Sequence, residues 1–253
     1  MLIAERDIMG GLAKGLAIIE TFTPERPRQS IAEASAASGL DRATARRCLL
    51  TLAHHGYADY DGKYFTLTPR VLRLGVGSLA AMPLPRIVQP VLDELSDRIG
   101  ESTSVSILDG HEIVYVARAA QRKVMSIGLM PGSRLPAYCT SMGRVLLAAL
   151  PMPEITTLLG RAVLVARTSF TLTDPAQIVV ELEKVRAQGY AAIDQEVELG
   201  LRSLAVPLVN THGRPVAALN VGVAATHRDI AELVSAYLPV LQKAQAELRG
   251  LIG

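Results

Sequence analysis

The spacing of apolar residues predicts that the chain begins with three short helices. In the first segment they recur at helical spacing, at Leu12, Leu16 and Ile19. A second helix is expected after Ser30, because Glu33 three positions later completes a capping-box pattern that satisfies free backbone N–H groups. Gly39 is a typical residue at which such a helix ends. We interpret this second helix as the support for a third.

The third predicted helix has one apolar side and one basic side. Asp41 can accept hydrogen bonds from the free N–H groups of a helix that runs from Arg42 to about His55. Its apolar side carries Ala45, Cys48, Leu49 and Leu52. The opposite side carries Ala43, Arg46, Arg47 and Leu50. A capped helix, a glycine turn and a basic second helix in this order are typical of a helix-turn-helix.

The pattern then changes to that of a two-stranded hairpin. Residues 57–60 and 63–67 are rich in tyrosine and other strand-forming residues. Asp61-Gly62 between them is a dipeptide that a type I′ turn prefers. A hairpin in this place would be a wing, so we predict a winged helix-turn-helix domain over residues 1–67.

Residues 68–82 are predicted to form a linker helix. Thr68 can cap it, Pro69 suits its first position, and Met82-Pro83 ends it. The segment is apolar on more than one side and rich in small residues, so it suits an interface between protomers as well as a linker. An ordinary helix within a domain is the alternative.

From Pro83 onwards, predicted helices alternate with strands that can pair in an antiparallel sheet. Helices are expected over residues 87–99, 144–150, 154–159 and 175–188, and a closing helix is expected to begin at Thr226 or Asp229. Strands are expected over residues 104–108, 112–119, 124–129, 190–194, 203–209 and 215–223. Helices around a mainly antiparallel sheet predict an α+β domain over residues 83–253.

Composition and charge indicate what class of protein contains these elements. The 253 residues are 49% hydrophobic and contain no apolar run of membrane length, so we expect two globular domains and no membrane contact. No basic and then apolar leader opens the sequence, which predicts a cytoplasmic protein. The net charge is only +2, but the whole excess lies in residues 1–73, which hold 10 Lys and Arg against 8 Asp and Glu.

A winged helix-turn-helix would place the first turns of its second helix in the major groove of double-stranded DNA. We expect five residues to contact bases and phosphates, four on that helix and one on the wing. They are Arg42, Thr44, Arg46, Arg47 and Lys63. The alternative is a merely solvated basic face, but the order of cap, turn, basic helix and hairpin favours DNA.

Three stretches of the sequence resemble the IclR-type bacterial transcriptional regulators. They are residues 39–47 (GLDRATARR), 131–144 (PGSRLPAYCTSMGR) and 194–207 (DQEVELGLRSLAVP). The last two look most like the subgroup that regulates the β-ketoadipate pathway, whose members sense protocatechuate or 4-hydroxybenzoate. The resemblance implies a GAF-like effector-binding domain, a homodimer through the DNA-binding heads, and often a dimer of dimers.

Two positions depart from the pattern of many IclR-type proteins. These carry a cysteine where Ser203 stands and a second acidic residue where Ile193 stands. Both departures make the pocket less like that of a sensor of small 2-oxo acids, and they favour a small aromatic acid as the effector. A different small organic acid is the alternative.

Residue types in the second and third stretches suggest an anion site. Free N–H groups at a helix start around Ser141 to Gly143 would attract a carboxylate, and Arg134 could add a two-pronged contact. The other candidates are hydroxyl donors, residues that flank an aromatic ring, and partners for phenolic hydroxyl groups. The donors are Thr140 and Ser141, the flanking residues are Val124, Ile127, Met142 and Leu201, and the hydroxyl partners are Asp194, Ser203 and Asn220.

Several of these candidates have a structural alternative. Arg134 and Arg202 could form ion pairs with Glu196 or Glu198, and for Arg202 we favour the ion pair. The flanking methionine and leucine are about equally well explained as core residues.

Two other classes of function are less well supported by the sequence. An enzyme would need a nucleophile such as Ser141 or Cys139 beside a histidine, but there is no nucleophile elbow and no His-Glu-x-x-His pattern. A redox or metal sensor would use Cys48 and Cys139, which show neither metal spacing nor a resolving partner. We therefore expect a regulator that uses no metal and no cofactor.

Overall fold

The computed structural model describes residues 4–23, 25–121 and 128–252. The chain forms two compact units, Met1–Ala81 and Met82–Gly253. The predicted linker, residues 68–82, belongs to the first unit except for its last residue. Within the described ranges, no helix is long and apolar enough to cross a membrane.

The first unit is a winged helix-turn-helix, as predicted. Its helices are α1 (Gly10–Glu20), α2 (Ile31–Ser38) and α3 (Arg42–His54), and its strands are β1 (Arg28–Ser30), β2 (Ala58–Tyr60) and β3 (Tyr64–Leu67). β3 pairs antiparallel with both other strands, so the sheet order is β1-β3-β2. Strand β1 was not predicted, because three residues are too few for an alternating pattern to show.

Local signals in the sequence set the ends of α2 and α3. The Ser30 hydroxyl accepts a hydrogen bond from the N–H of Glu33, whose carboxylate accepts one from the N–H of Ser30, forming the predicted capping box. Gly39 ends α2 with a φ of 70°. Asp41 Oδ1 caps α3 by accepting from the N–H of Thr44 at 2.9 Å. The helices pack on a fully buried core of Ile18, Ala34, Ala45, Leu49 and Phe65.

The wing has its predicted strands but not its predicted turn. A type I′ turn needs a positive φ at both central residues, and of the pair Asp61-Gly62 only Gly62 has one. The Asp61 carboxylate instead accepts hydrogen bonds from the N–H groups of Tyr64 and Lys63, at 2.8 and 2.9 Å. These bonds lower the pKa of Asp61 to about 2. The prediction of a two-residue turn is wrong because this side chain holds a longer connection.

The segment predicted as one linker helix contains two elements. The Thr68 hydroxyl accepts from the N–H of Arg70, as expected of a cap, but the first turn, Pro69–Leu72, is a 3-10 helix. Helix α4 (Arg73–Ala81) follows it directly, and α5 (Pro83–Ile99) begins after an extended Met82. The single helix predicted over residues 68–82 is therefore corrected at its first turn, where 3-10 geometry is common.

The second unit has helices on both faces of one antiparallel sheet, which confirms the α+β prediction. Its strands are β4 (Ser102–Asp109), β5 (Glu112–Ala119), β6 (Arg134–Pro136), β7 (Ala191–Asp194), β8 (Leu201–Val209) and β9 (Pro215–Ala224). Its helices after α5 are α6 (Ser141–Ala148), α7 (Met152–Arg161), α8 (Pro175–Gln188) and α9 (Ile230–Arg249). The sheet order is β6-β5-β4-β9-β8-β7, with α5 and α9 packed on one face and α6 and α8 on the other.

In the second unit, the structure differs from the prediction at some elements. Most of the strand predicted over residues 124–129 lies outside the described residues. The sequence pattern missed β6, which is as short as β1. Asp229, and not Thr226, caps α9 by accepting from the N–H of Glu232 at 2.8 Å.

Helix α6 begins at Ser141, three residues before its predicted start, because Thr140 caps it. The Thr140 hydroxyl accepts from the N–H of Gly143 at 3.1 Å. At Gly143 the helix also comes very close to the preceding turn, since a Cβ there would lie 2.2 Å from the carbonyl oxygen of Ala137. No side chain fits in this space, so a glycine is required for the contact.

Replacing Gly143 by alanine is expected to lower the free energy of unfolding by about 1–3 kcal/mol, because the added methyl group forces α6 away from the turn. Urea unfolding of the full chain, followed by circular dichroism, measures this. The matched control is Gly160→Ala on α7, where a Cβ meets nothing within 4 Å and stability should not fall. Equal stability of the two variants would contradict the close-contact explanation.

Candidate functional site

Helix α3 presents three of its predicted DNA contacts to solvent. The side chains of Arg42, Arg46 and Arg47 are exposed. Thr44 is only 9% exposed, because it faces α1, so it has little surface to offer to DNA. The basic face of the helix is therefore carried by arginines alone.

A groove between α1 and α3 adds a cation that the sequence analysis missed. The groove is lined by Gly11, Lys14, Gly15, Thr44, Arg47, Cys48, Thr51 and Leu52. Lys14 on α1 and Arg47 on α3 bring two exposed positive charges to one side of the first unit. Helical periodicity treats the two helices separately, so it does not show that these charges share a groove.

The wing presents Lys63 to solvent beside an aromatic ring. Its Nζ lies 4.9 Å from the ring centroid of Tyr64, and the Arg28 guanidinium lies 4.3 Å from the same centroid. Arg28 also forms an ion pair with Asp61. Lys63 forms no ion pair among the described residues, so its charge remains directed to solvent.

The second unit contains a pocket on the sheet face that carries α6. It is lined by Tyr115, Arg118, Leu129, Leu135, Thr140, Ser141, Met142, Val197, Leu201, Ser203, Asn220 and Gly222. Six of these are predicted effector contacts, namely Thr140, Ser141, Met142, Leu201, Ser203 and Asn220. Strands β5, β8 and β9 and the start of α6 thus bring together residues from across the second half of the chain.

Two predicted contacts do not line this pocket. Arg134 lies on edge strand β6, where it donates to Glu112 and Asp109, both at 2.7 Å. Asp194 receives two hydrogen bonds from Arg202, at 2.7 and 3.2 Å, which lower its pKa. Arg202 therefore forms the expected ion pair, but with a different partner from those predicted.

Val124 and Ile127 lie outside the described residues. The Thr140 hydroxyl caps α6 and lies 3.1 Å from the Pro136 carbonyl, to which it donates, so it has little capacity left for a ligand. Ser141, which is also buried in the pocket wall, is the better donor of the two.

The positive charge in the pocket comes from Arg118, which the sequence analysis did not select. Its guanidinium donates to the hydroxyl of Ser104 at 2.9 Å. Burial lowers the pKa of Arg118, because a partly desolvated cation is disfavoured. The available signal was a single charged residue within the otherwise apolar second half of β5.

Asn220 supplies a buried polar atom that lacks a partner. The residue is 9% exposed, and its Oδ1 has no hydrogen-bond donor among the described residues. Asn220 pairs with Ser104 across the sheet, and Ser104 pairs with Arg118 on its other side, so the three lie in one row. Buried polar atoms in proteins nearly always have a partner, and a missing one in a pocket wall indicates a place for a ligand or water.

A buried ion pair stands behind the pocket. Arg144 Nη2 lies 2.8 Å from Glu196 Oε2, and both side chains are almost fully buried. Arg144 also donates to the Tyr138 carbonyl, and Glu196 accepts from the N–H of Leu172. Burial raises the pKa of Glu196, while Arg144 acts in the opposite direction. The pair fixes the segment that carries Val197, one of the lining residues.

The pocket is small. Its space for water-sized molecules is about 30 Å³, which is room for one or two waters, and the cleft together with the solvent at its opening is about 420 Å³. A cavity that binds benzene is about 150 Å³, so the pocket would have to widen to admit a ring. At this size, a single added methyl group on the pocket wall is a large change.

Two family models match the chain. Residues 11–62 match the IclR helix-turn-helix domain, and residues 76–248 match the C-terminal domain of the bacterial transcriptional regulator IclR. Together these matches cover most of both structural units.

Known regulators are similar to the chain over nearly its full length. It is 44% identical to the Pca regulon regulatory protein of Pseudomonas putida, covering 96% of this chain and 84% of that protein. It is 36% identical to the p-hydroxybenzoate hydroxylase transcriptional activator of Acinetobacter baylyi, covering 99% and 94%. The solved inducer-binding domain of PobR from Acinetobacter, a double mutant in complex with 3-hydroxybenzoic acid, is 33% identical with a TM-score of 0.63, covering 66% of this chain and 98% of that one. The chain therefore belongs to the IclR family of bacterial transcriptional regulators, whose helix-turn-helix domain binds DNA.

Proposed function

We propose that this protein controls transcription of genes for aromatic acid catabolism in the β-ketoadipate pathway. In this proposal residues 1–67 bind operator DNA and residues 83–253 bind a small aromatic carboxylate such as protocatechuate or 4-hydroxybenzoate. The names of its relatives support the pathway, since one regulates the Pca regulon and another activates p-hydroxybenzoate hydroxylase. The observation that carries the effector class is the unpartnered oxygen of Asn220 in a pocket that also holds Arg118.

Arg118 supports binding of the carboxylate. Burial partly desolvates the charge of Arg118 and lowers its pKa, and a carboxylate bound beside it would form a strong charge-assisted hydrogen bond. Ser141 at the start of α6 lines the same space and can donate to the same group. In this proposal Arg118 replaces Arg134 as the cation, because the latter is held by two carboxylates at the sheet edge.

Other residues of the pocket suit the aromatic ring of the proposed effector and its hydroxyl group. Met142 and Leu201 supply apolar sides, and the Ser106 hydroxyl orients the Met142 sulfur by donating to it at 3.2 Å. The Asn220 oxygen can accept from a phenolic hydroxyl, with Ser203 as the neighbouring polar group. A hydroxybenzoate has the apolar faces, the carboxylate and the hydroxyl donor that these groups require.

We assign DNA binding to the arginines of α3 and to two lysines, one on α1 and one on the wing. Arg42, Arg46 and Arg47 are exposed on the helix that enters the major groove in this fold. We assign phosphate contacts to Lys63 on the wing and to Lys14 in the groove between α1 and α3, because both charges are exposed.

A homodimer through the heads is supported by the apolar surface of the first unit. Met9, Leu12 and Leu16 are 74%, 60% and 47% exposed, which makes an apolar strip on α1 and the residue before it. Such a strip favours contact with a second copy. An effector that binds one arrangement of the effector-binding domain more tightly would favour that arrangement. Through residues 68–82 this would change the spacing of the two DNA-binding domains in a dimer. The dimer of dimers stays a prediction.

The remaining alternatives are weaker. Burial raises the pKa of Cys139 to about 11, which keeps the thiol protonated and disfavours a thiol-based sensor. We infer a cytoplasmic regulator without catalytic activity, as its family is one of regulators. A small organic acid without a hydroxyl group could use Arg118 but would leave the Asn220 oxygen without a donor.

Titration of the wild-type chain with 4-hydroxybenzoate or protocatechuate should raise its unfolding temperature. Arg118→Gln should weaken binding about 10- to 100-fold, because a charge-assisted hydrogen bond contributes about 1.5–3 kcal/mol. Arg134→Gln is the matched control, and it should bind like the wild type. No stabilisation of the wild type by either acid would contradict the aromatic effector, and equal losses in both variants would contradict the role of Arg118.

Arg47→Ala should weaken binding to duplex DNA and reduce the slope of log affinity against log salt by about one for each protomer, because one phosphate contact is lost. Fluorescence anisotropy at several salt concentrations measures both quantities. Arg214→Ala removes the same charge from the second unit, and it should change neither. If Arg47→Ala also abolished the response to the effector, the residue would be acting through folding.

A further inference from the structure

Gly222 lies within strand β9, on the floor of the effector pocket. A glycine inside a strand is unfavourable, since it adds no packing and loses more conformational freedom on folding than any other residue. Many glycines in this chain are explained by a positive φ, but Gly222 is not among them. Its backbone conformation therefore does not require glycine.

Packing does not require glycine there either. Among the described residues, a Cβ at Gly222 would meet only Leu201 Cδ1, at 3.7 Å, which is an ordinary van der Waals contact. Gly143 shows the opposite case, because a Cβ there would lie within 2.5 Å of three atoms. The described protein atoms thus leave room for an alanine side chain at position 222.

The space beside Gly222 belongs to the pocket. Gly222 lies two residues after Asn220 on the same face of β9, and it pairs with Ser203 across the sheet. Both neighbours line the pocket, as does Leu201. Since the pocket has only about 30 Å³ of space for water-sized molecules, a methyl group at position 222 would take a large part of it.

The geometry points to Gly222 as the residue that sets the size of effector the pocket accepts. This inference rests on the proposed function, and it adds a specificity-determining residue to it. The missing side chain leaves room for the ring edge that carries the hydroxyl group, between Leu201 and Asn220. A strand glycine that neither the backbone nor the packing requires is what a closely approaching ligand explains.

Gly222→Ala tests the inference through two readouts that move in different directions. The unfolding temperature of the ligand-free chain should stay the same or rise, because alanine fits the site and restricts the unfolded chain. Affinity for 4-hydroxybenzoate, measured by isothermal titration calorimetry, should fall about tenfold or more, because the methyl group overpacks the occupied pocket. A merely structural glycine would give the reverse pattern, with lower stability in the absence of ligand.

A second variant separates lost space from other causes. Adding Leu201→Val to Gly222→Ala removes a methylene-sized volume from the contacting side chain, and should restore part of the affinity. Gly160→Ala, on exposed α7, is the control for a glycine-to-alanine change and should bind like the wild type.

The outcomes distinguish this inference from the proposed function. If the wild type binds neither 4-hydroxybenzoate nor protocatechuate, the proposed function fails and this inference falls with it. If the wild type binds and Gly222→Ala binds equally well, only the role of Gly222 is overturned. A drop in ligand-free stability of Gly222→Ala, or a double variant that binds no better than Gly222→Ala, would also overturn it.

Discussion

The pocket depends on the buried ion pair between Arg144 and Glu196. Charges removed from water are costly, and their attraction compensates only when the remaining donors and acceptors are also satisfied. Here the Tyr138 carbonyl and the Leu172 N–H complete the pair, so it connects α6, the turn before it and two loops. Its main effect is therefore on arrangement rather than on net stability. It defines where the start of α6 lies, and with it the wall on which an effector carboxylate would rest.

The first unit is organised by local interactions instead. Its helix ends are fixed by side chains within three residues of the groups they cap, and its core consists of a few small and medium apolar residues around Phe65. The caps need no support from distant parts of the chain, whereas Phe65 reaches the core from a strand that pairs with β1. The exposed arginines of α3 therefore take no part in the packing that holds their helix in place.

The same distinction explains how much could be predicted from the sequence. Caps at Ser30, Asp41 and Asp174 are local, so the helices they begin were predicted at nearly their true bounds. Six pocket residues were also found. Five of them lie in the two stretches that resemble the family, and Asn220 lies outside both. The predicted cation, Arg134, lies in ion pairs at the sheet edge, whereas Arg118 lines the pocket. Periodicity does not reveal these neighbours across the sheet.

A bulge in β5 made Arg118 especially difficult to find. Ser106 pairs with Tyr115, but Val105 pairs with Ala117, so Val116 is an extra residue on this strand. Strict alternation would place Tyr115 and Ala117 on one face and turn Arg118 to the other. After the extra residue, the side chains that follow Tyr115 alternate in the opposite sense. Both Tyr115 and Arg118 therefore line the pocket.

The unpartnered oxygen of Asn220 has a consequence for discrimination among related acids. A water molecule can serve it while the pocket is empty, but a bound ring displaces that water. A ring with a hydroxyl group replaces the lost donor, whereas plain benzoate would leave the oxygen dehydrated and unpaired at a cost of about 1–3 kcal/mol. Discrimination against the unsubstituted acid would thus arise from the hydrogen bond that the protein loses, and it would need no steric clash.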